Sequence, residues 1–221
     1  MNSELKEQGY TIVDAPEIDA EALAVSFEHL PVDEYLRSGT RRRRYSWFAG
    51  TPDNLMKLPH KVFYQTEKYE GRPDIHREFD EIDASVYKHS SFQNIVECYV
   101  QVTGINLANT PVEVHQLRVS CGDGFDGNPS PEGVHRDGCH YLGVFVVGRT
   151  GVIGGETSVH ENKTDGPIYS AVLSPGQFLF VDDEKLMHHA LPMTADVGTV
   201  AHWDIFVLTA GEHRRQRDEL K

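Results

Sequence analysis

His135, Asp137 and His188 are the residues whose types and spacing best suit a metal ion. Alternate side chains of a β-strand share a face, so the His-x-Asp spacing lets His135 and Asp137 contact one ion while Arg136 points away. Two imidazoles and one carboxylate form the 2-His-1-carboxylate facial triad, which holds non-haem Fe(II) and leaves coordination positions open. The pattern predicts an iron centre with these three side chains as its metal ligands and catalytic residues.

The second half of this predicted site follows a tight turn at 174–176 and a strand-like run at 177–182. The interval between His135 and His188 is long enough for several strands and a return to the same end of a jelly roll. His189 is the rival ligand, because neighbours on an extended strand face opposite sides and cannot both bind one ion. We favour His188 and keep His189 as the alternative.

The N-terminal elements that must support this site are helical or irregular by pattern. Residues 9–14 predict a short strand and residues 16–30 a helix, whereas residues 31–82 show no regular period and are expected to wrap the core. Residues 92–104 have apolar side chains at i, i+3, i+4 and i+7, the pattern of an amphipathic helix.

Later segments are short, rich in β-branched and aromatic residues, and separated by turn residues. They are 112–120, 140–148, 156–161, 168–174, 176–182 and 201–209. The sequence predicts an α+β fold with a double-stranded β-helix (jelly roll, cupin-like) core and N-terminal helices packed outside. We expect one domain over 1–221, with a helical and irregular part at 1–110 and the jelly-roll core at 111–210.

Composition excludes several classes of protein. The formal net charge of −13 disfavours nucleic acid and anionic membrane surfaces as partners, and the 39% hydrophobic content suffices for a core. Three widely spaced cysteines, without a Cys-x-x-Cys pair, argue against a zinc or disulfide framework. With no signal-like or membrane-spanning apolar run in the sequence, we expect a cytoplasmic protein.

Two further segments surround the predicted site. The four arginines at 41–44 lead into the aromatic residues at 45–48, which favours a half-buried structural or anion-binding role. The glycine-rich stretch 122–133 precedes the metal motif and is either a mobile lid or a plain surface loop. The absence of a G-x-S-x-G motif and of a glycine-rich nucleotide loop argues against hydrolase and Rossmann folds.

Several segments share features with one known family. They are GTRRRRYSWF (39–48), EVHQLRVS (113–120), PSPEGVHRDG (129–138), GGET (154–157) and VDDEKLMHHALPM (181–193). They resemble the 2-oxoglutarate/Fe(II) dioxygenases of the bacterial free-amino-acid hydroxylase type, the family of L-isoleucine 4-hydroxylase and related biofilm-stress proteins. The resemblance covers residues 31–210 and implies Fe(II), 2-oxoglutarate and molecular oxygen. It also supports His188 over His189 as a ligand.

One departure from that family concerns the cosubstrate. The family's last strand usually begins with an Arg-Asp pair whose arginine binds the distal carboxylate of 2-oxoglutarate, and here the pair is Trp203-Asp204. Leaving a buried charge without its partner costs about 3–5 kcal/mol, so another group must substitute or the cosubstrate must differ. Arg118 is our candidate substitute and His202 a second one. The alternative, that Arg118 pairs with a nearby acidic residue such as Glu113 or Asp182, stays open.

Three hypotheses about function follow. The first is an Fe(II)/2-oxoglutarate oxygenase that hydroxylates or otherwise oxidises a free L-amino acid or derivative, and Arg43, Arg44, Glu132 and Asp182 are its candidate substrate-binding residues. The second is an iron oxidase of the same fold that does not use 2-oxoglutarate, with Trp203 marking the altered pocket. The third is a non-catalytic metal-binding stress protein. A homodimer is compatible with the sequence.

Overall fold

The computed structural model describes residues 1–15, 17–36, 38–51, 54–65 and 75–211. The helices are α1 (Ser3–Gln8), α2 (Ala20–Ala24), α3 (Ala84–Tyr87) and α4 (Ser90–Thr103), and a 3-10 turn spans Val25–Phe27. The strands are β1 (Tyr10–Asp14), β2 (Arg41–Thr51), β3 (Asn54–Lys57), β4 (Phe63–Gln65), β5 (Ile75–Arg77), β6 (Val112–Gly122), β7 (Tyr141–Thr150), β8 (Val152–Gly154), β9 (Thr157–His160), β10 (Tyr169–Ala171), β11 (Gln177–Asp182), β12 (Met187–Ala190), β13 (Met193–Ala195) and β14 (Val200–Ala210). No helix among these residues is long and apolar enough to cross a membrane.

Two antiparallel sheets form the jelly roll. The larger has the strand order β1-β11-β7-β14-β6-β2-β3, and the smaller has the order β10-β9-β12. The side chains of Leu142, Val159 and Trp203 belong to one buried cluster between the sheets. The helices cover the other face of the large sheet, where Phe92 of α4 packs against Phe206 of β14. The predicted α+β jelly roll with external helices is therefore confirmed.

Alternation along β14 explains how one strand serves both layers. Trp203 and Ile205 point into the space between the sheets, whereas Phe206 and Leu208 pack in the helix-side cluster. Successive side chains of a strand face opposite sides, so a strand covered on both faces is apolar on both. This is why the predicted strands read as nearly continuous apolar runs.

Most predicted elements are confirmed, with changed bounds. Each of the predicted strands overlaps an observed one, and the helix expected at 92–104 is α4, which ends at Gly104 with the left-handed φ of 72°. The helix expected at 16–30 is shorter: the Asp19 side chain accepts a hydrogen bond from Ala22 N (3.0 Å) and starts α2. Position 16 lies outside the described residues.

The prediction that residues 31–82 are irregular is wrong at β2. This strand pairs with β6 from Arg41 to Phe48 and belongs to the large sheet, as does β1. The N-terminal part therefore supplies strands to the jelly roll as well as helices around it. Four consecutive arginines conceal the alternation: Arg41 and Arg43 are buried, whereas Arg42 and Arg44 are more exposed.

Gly143 of β7 lies directly beneath α4. A Cβ atom there would be 2.8 Å from the Tyr99 ring and 2.9 Å from the Phe178 ring. We expect Gly143→Ala to lower the free energy of unfolding by about 1–3 kcal/mol, the usual cost of overpacking. Urea denaturation measures this loss. Gly148→Ala on the same strand, where a Cβ meets nothing within 4 Å, is the matched control, and an equal loss in both variants would contradict the packing argument.

Candidate metal centre

His135, Asp137 and His188 converge at the cavity between the sheets. Nε2 of His135 lies 3.4 Å from Oδ1 of Asp137, and Nε2 of His188 lies 3.9 Å from Oδ2 of Asp137. One ligand atom from each residue lies within 4.8 Å of the other two. Ligand atoms bound to one ion at about 2.1 Å lie about 3–4 Å apart, so small side-chain adjustments would suit a single cation.

The backbone holds the two histidines side by side. The N–H of His135 donates to the carbonyl of His188 (3.1 Å), and the N–H of His188 donates to that of His135 (2.9 Å). Nδ1 of His135 also lies 2.8 Å from the carbonyl oxygen of Gly133. Donation from Nδ1 to that carbonyl leaves the Nε2 lone pair available to a metal.

Asp183 positions the loop that carries Asp137. Its buried carboxylate accepts hydrogen bonds from the backbone N–H groups of Asp137 (3.2 Å), Gly138 (2.7 Å) and Cys139 (3.2 Å). Burial and the negative charge of Asp137 raise the pKa of Asp183. Sequence reasoning missed this residue and selected its neighbour Asp182, although the adjacent acidic pair after a predicted strand was a usable signal.

The pKa values of the two ligand histidines are shifted in opposite directions. Burial lowers the pKa of His135, but the hydrogen bond and charge of Asp137 outweigh it and raise the pKa to about 9. Burial and the charge of His135 lower the pKa of His188 to about 3. A divalent cation would therefore displace a proton from His135, whereas His188 is already neutral.

The triad opens into a cavity whose wall is largely apolar, with a few charged and polar groups. Those groups include Arg41, Arg43, Arg77, Glu132, Thr157 and Trp203. Apolar walls with a few converging polar groups are typical of small-molecule sites. The glycine-rich stretch contributes to this wall through Glu132 and through Ser130, whose hydroxyl accepts a hydrogen bond from Ala190 N (3.1 Å).

Of the two arginines predicted to bind substrate, Arg43 and Arg44, only Arg43 lines the cavity. Its Nε and Nη2 lie 3.1 and 2.9 Å from Nδ1 of His115 and donate to it. Burial and the charge of Arg43 lower the pKa of His115 well below its usual value, which leaves the ring neutral and able to accept. Arg41 lines the same wall and donates to Asp33 (2.7 Å).

Two other predicted substrate residues, Arg44 and Asp182, do not lie at the cavity wall. Arg44 faces the other side of β2 and donates to the carbonyl of Glu81 (2.8 Å). Asp182 forms an ion pair with Lys185 (2.8 Å). For Arg44 the reason is the two-residue period of the strand, which turns it away from the face of Arg43. Asp182 ends β11, and no residue of that strand lines the cavity.

Arg118 and His202, the residues predicted to bind the cosubstrate, do not line the cavity either. Arg118 donates from Nε and Nη2 to both oxygens of Asp204 (2.6 and 2.7 Å) and from Nη2 to Glu28 (2.9 Å). It therefore has acidic partners, although not the two acidic residues that the sequence suggested. His202 lies 3.7 Å from Asp204. These side chains alternate with those that line the cavity, and Trp203 between them does reach it.

The comparison with protein-family models identifies the family of this chain. A family model described as 2OG-Fe dioxygenase matches residues 24–209. Among solved structures, a bsmA homolog from Methylobium petroleophilum PM1 is similar over 94% of this chain and 90% of its own, with 25% identity and a TM-score of 0.79. IDO from Bacillus thuringiensis matches over 94% and 96% with 18% identity and a TM-score of 0.79.

A third similar structure is the Fe(II)/(alpha)ketoglutarate-dependent dioxygenase TqaL, with 16% identity and a TM-score of 0.71. The alignment covers 95% of this chain and 84% of TqaL. The likenesses to IDO and TqaL concern the fold alone. A search of curated proteins found no significant match.

Proposed function

Because the chain belongs to the 2OG-Fe dioxygenase family, which uses Fe(II) and 2-oxoglutarate, we propose that it oxidises a free L-amino acid or a close derivative, with hydroxylation as the main outcome. In this proposal His135, Asp137 and His188 bind the iron. The observation that carries it is the convergence of these three side chains at a cavity between the sheets. When bound, the iron supplies oxygen activation for attack on a C–H bond.

The protein's contribution is to hold these ligands and to exclude water. Asp183 fixes the loop of Asp137 through three backbone hydrogen bonds, and the cross-bridge between His135 and His188 fixes the relative positions of the two rings. Apolar side chains such as Leu142 complete the wall around the ligands. A dry, rigid site keeps a reactive metal centre from side reactions.

The charged groups of the wall support an amino acid as the substrate. Arg43 presents a buried guanidinium, with Arg41 and Arg77 on the same wall, and arginine binds carboxylates with paired hydrogen bonds. Glu132 lies at the cavity wall and offers a carboxylate for an ammonium group. A molecule that carries both a carboxylate and an amine therefore matches the charges of the cavity.

The proposal is tested by anaerobic reconstitution with Fe(II) and titration with 2-oxoglutarate. We expect the weak visible charge-transfer band of the chelated complex to appear. Oxygen and a panel of amino acids are then added, and succinate release identifies the substrate. An iron-loaded protein that shows no such band would instead support the hypothesis of an iron oxidase that does not use 2-oxoglutarate.

If Arg43 binds the substrate carboxylate, the enzyme should prefer a free amino acid to its amide. We expect a free amino acid that passes this screen to have a kcat/KM at least about 10-fold above that of its amide, because a hydrogen bond to a charged group contributes about 1.5–3 kcal/mol. Arg43→Met should remove most of this preference, whereas Arg44→Met, on the other face of β2, should keep it. Equal rates with acid and amide in the unmodified protein would exclude the carboxylate-binding role.

A further inference from the structure

Trp203 lies on a central strand of the large sheet, with its side chain at the cavity. On β14 it pairs with Val119 of β6 and with Arg149 of β7. Only 1% of its surface is exposed, and its side chain lines the cavity. The guanidinium carbon of Arg149 lies 5.3 Å from the centre of the indole ring, so a cation packs against the tryptophan.

Nε1 of Trp203 and Oγ1 of Thr157 are buried polar atoms without a hydrogen-bond partner among the described residues, and both residues line the cavity. Thr157 is 3% exposed. A buried N–H or O–H without an acceptor is costly, so two such groups at one cavity indicate a ligand with acceptor oxygens.

The position of Thr157 relates this pair of groups to the metal centre. Thr157 of β9 pairs with Ala190 of β12, and His188 pairs with Val159, two residues further along the same two strands. Two residues of a strand span about 7 Å, which is comparable to the length of a five-carbon dicarboxylate. A molecule chelated near His188 would therefore reach Thr157 with its far end.

Arg149 supplies the positive charge that a carboxylate needs here. Its Nη2 donates to the carbonyl of Gly154, and Nη1 has no hydrogen-bond partner among the described residues. Glu156 is an acidic group that faces Arg149 and offsets part of its charge. The guanidinium still lies against the indole, so its positive charge would stabilise an anion that accepts a hydrogen bond from the Trp203 N–H.

We propose that Trp203 and Thr157 bind the distal carboxylate of 2-oxoglutarate, with Arg149 as the supporting cation. They would replace the arginine that the dioxygenases named in the sequence analysis usually have where this chain has Trp203. This inference rests on the proposed function. It gives Trp203 a role in cosubstrate recognition and makes Thr157 its hydroxyl partner. The indole N–H and the hydroxyl each donate one hydrogen bond to a carboxylate oxygen.

The test compares 2-oxoglutarate with 2-oxopentanoate, which has the same carbon chain without the distal carboxylate. Both are titrated anaerobically into the Fe(II)-loaded protein, and the charge-transfer band gives each Kd. We expect 2-oxoglutarate to bind at least about 10-fold more tightly. Trp203→Phe and Thr157→Val should each weaken 2-oxoglutarate binding by about 10-fold and leave 2-oxopentanoate binding unchanged, as expected for one lost hydrogen bond.

Trp47→Phe is the matched control, because Trp47 lies outside the cavity and donates to the carbonyl of Pro59. It should bind both 2-oxo acids like the unmodified protein. It also leaves Trp203 as the only tryptophan, so a change in its fluorescence on addition of 2-oxoglutarate is an independent readout.

The outcomes separate this inference from the proposed function. Equal affinity for the two 2-oxo acids, or unchanged affinity for 2-oxoglutarate in both variants, overturns the role of Trp203 and Thr157 and leaves the oxygenase proposal intact. Absence of a band with either compound in an iron-loaded protein overturns the oxygenase proposal itself.

Discussion

Asp137→Ala is expected to weaken Fe(II) binding by at least about 100-fold and to abolish turnover. Residues that merely support metal ligands already contribute 10–100-fold to affinity, so a ligand should contribute more. The same result is expected for His188→Ala, because both side chains offer an atom to the same small cluster. Anaerobic competition with a coloured iron chelator measures the affinity, and circular dichroism checks that the variants fold.

His189→Ala is the matched control for His188→Ala. It removes an imidazole from the next position of β12 and should leave the iron stoichiometry at one per chain, because His189 is outside the clustered ligand set. Iron binding that survives in His188→Ala and fails in His189→Ala would exchange the two assignments. Iron binding that survives in both Asp137→Ala and His135→Ala would defeat the triad altogether.

Two of the metal ligands, His135 and Asp137, could be predicted from sequence because their geometry is local, whereas the choice of His188 over His189 also needed the resemblance to a known family. His135 and Asp137 are two residues apart, and the two-residue period of extended chain brings them to one face without knowledge of the rest of the fold. The strands β6, β7 and β14 and the helix α4 were likewise visible as apolar runs with a regular period.

The partners of the charged side chains could not be predicted, because they depend on register between strands distant in sequence. Arg118 contacts Asp204 because β6 pairs with β14 in a register that places the two residues opposite each other. The sequence of the long segment between these strands does not reveal that register. The direction in which these side chains point was partly predictable. Successive side chains of a strand face opposite sides, so His202 and Asp204 point away from the cavity once Trp203 faces it. The alternation at 41–44 was concealed because arginines occupy both faces of β2.

The Arg118–Asp204 pair is expected to show the largest effect on stability outside the metal centre. Asp204 is buried, and Arg118 provides both hydrogen bonds to its carboxylate. Burial raises the pKa of Asp204 in spite of the hydrogen bonds and charge of Arg118. We expect Arg118→Met to lower the free energy of unfolding by about 3–5 kcal/mol at pH 7, because it leaves a buried carboxylate without its cation.

The loss should depend on pH in a defined direction. Without Arg118 the folded pKa of Asp204 rises further above the unfolded value of about 3.9, so the folded state binds the proton more tightly. The variant then loses stability as the pH rises from about 4 towards the raised folded pKa, and its deficit is smaller at pH 4 than at pH 7. Urea denaturation of both proteins at the two pH values measures the difference.

The double variant Arg118→Met/Asp204→Leu separates the cost of an orphaned charge from the value of the pair. Replacing both partners by apolar side chains of similar size removes the buried charge, and such replacements of buried ion pairs are often neutral or stabilising. We expect the double variant to recover most of the stability lost by Arg118→Met and to have little pH dependence between pH 4 and 7. A double variant as unstable as the single one would mean that Arg118 acts through packing and through Glu28 instead of through Asp204.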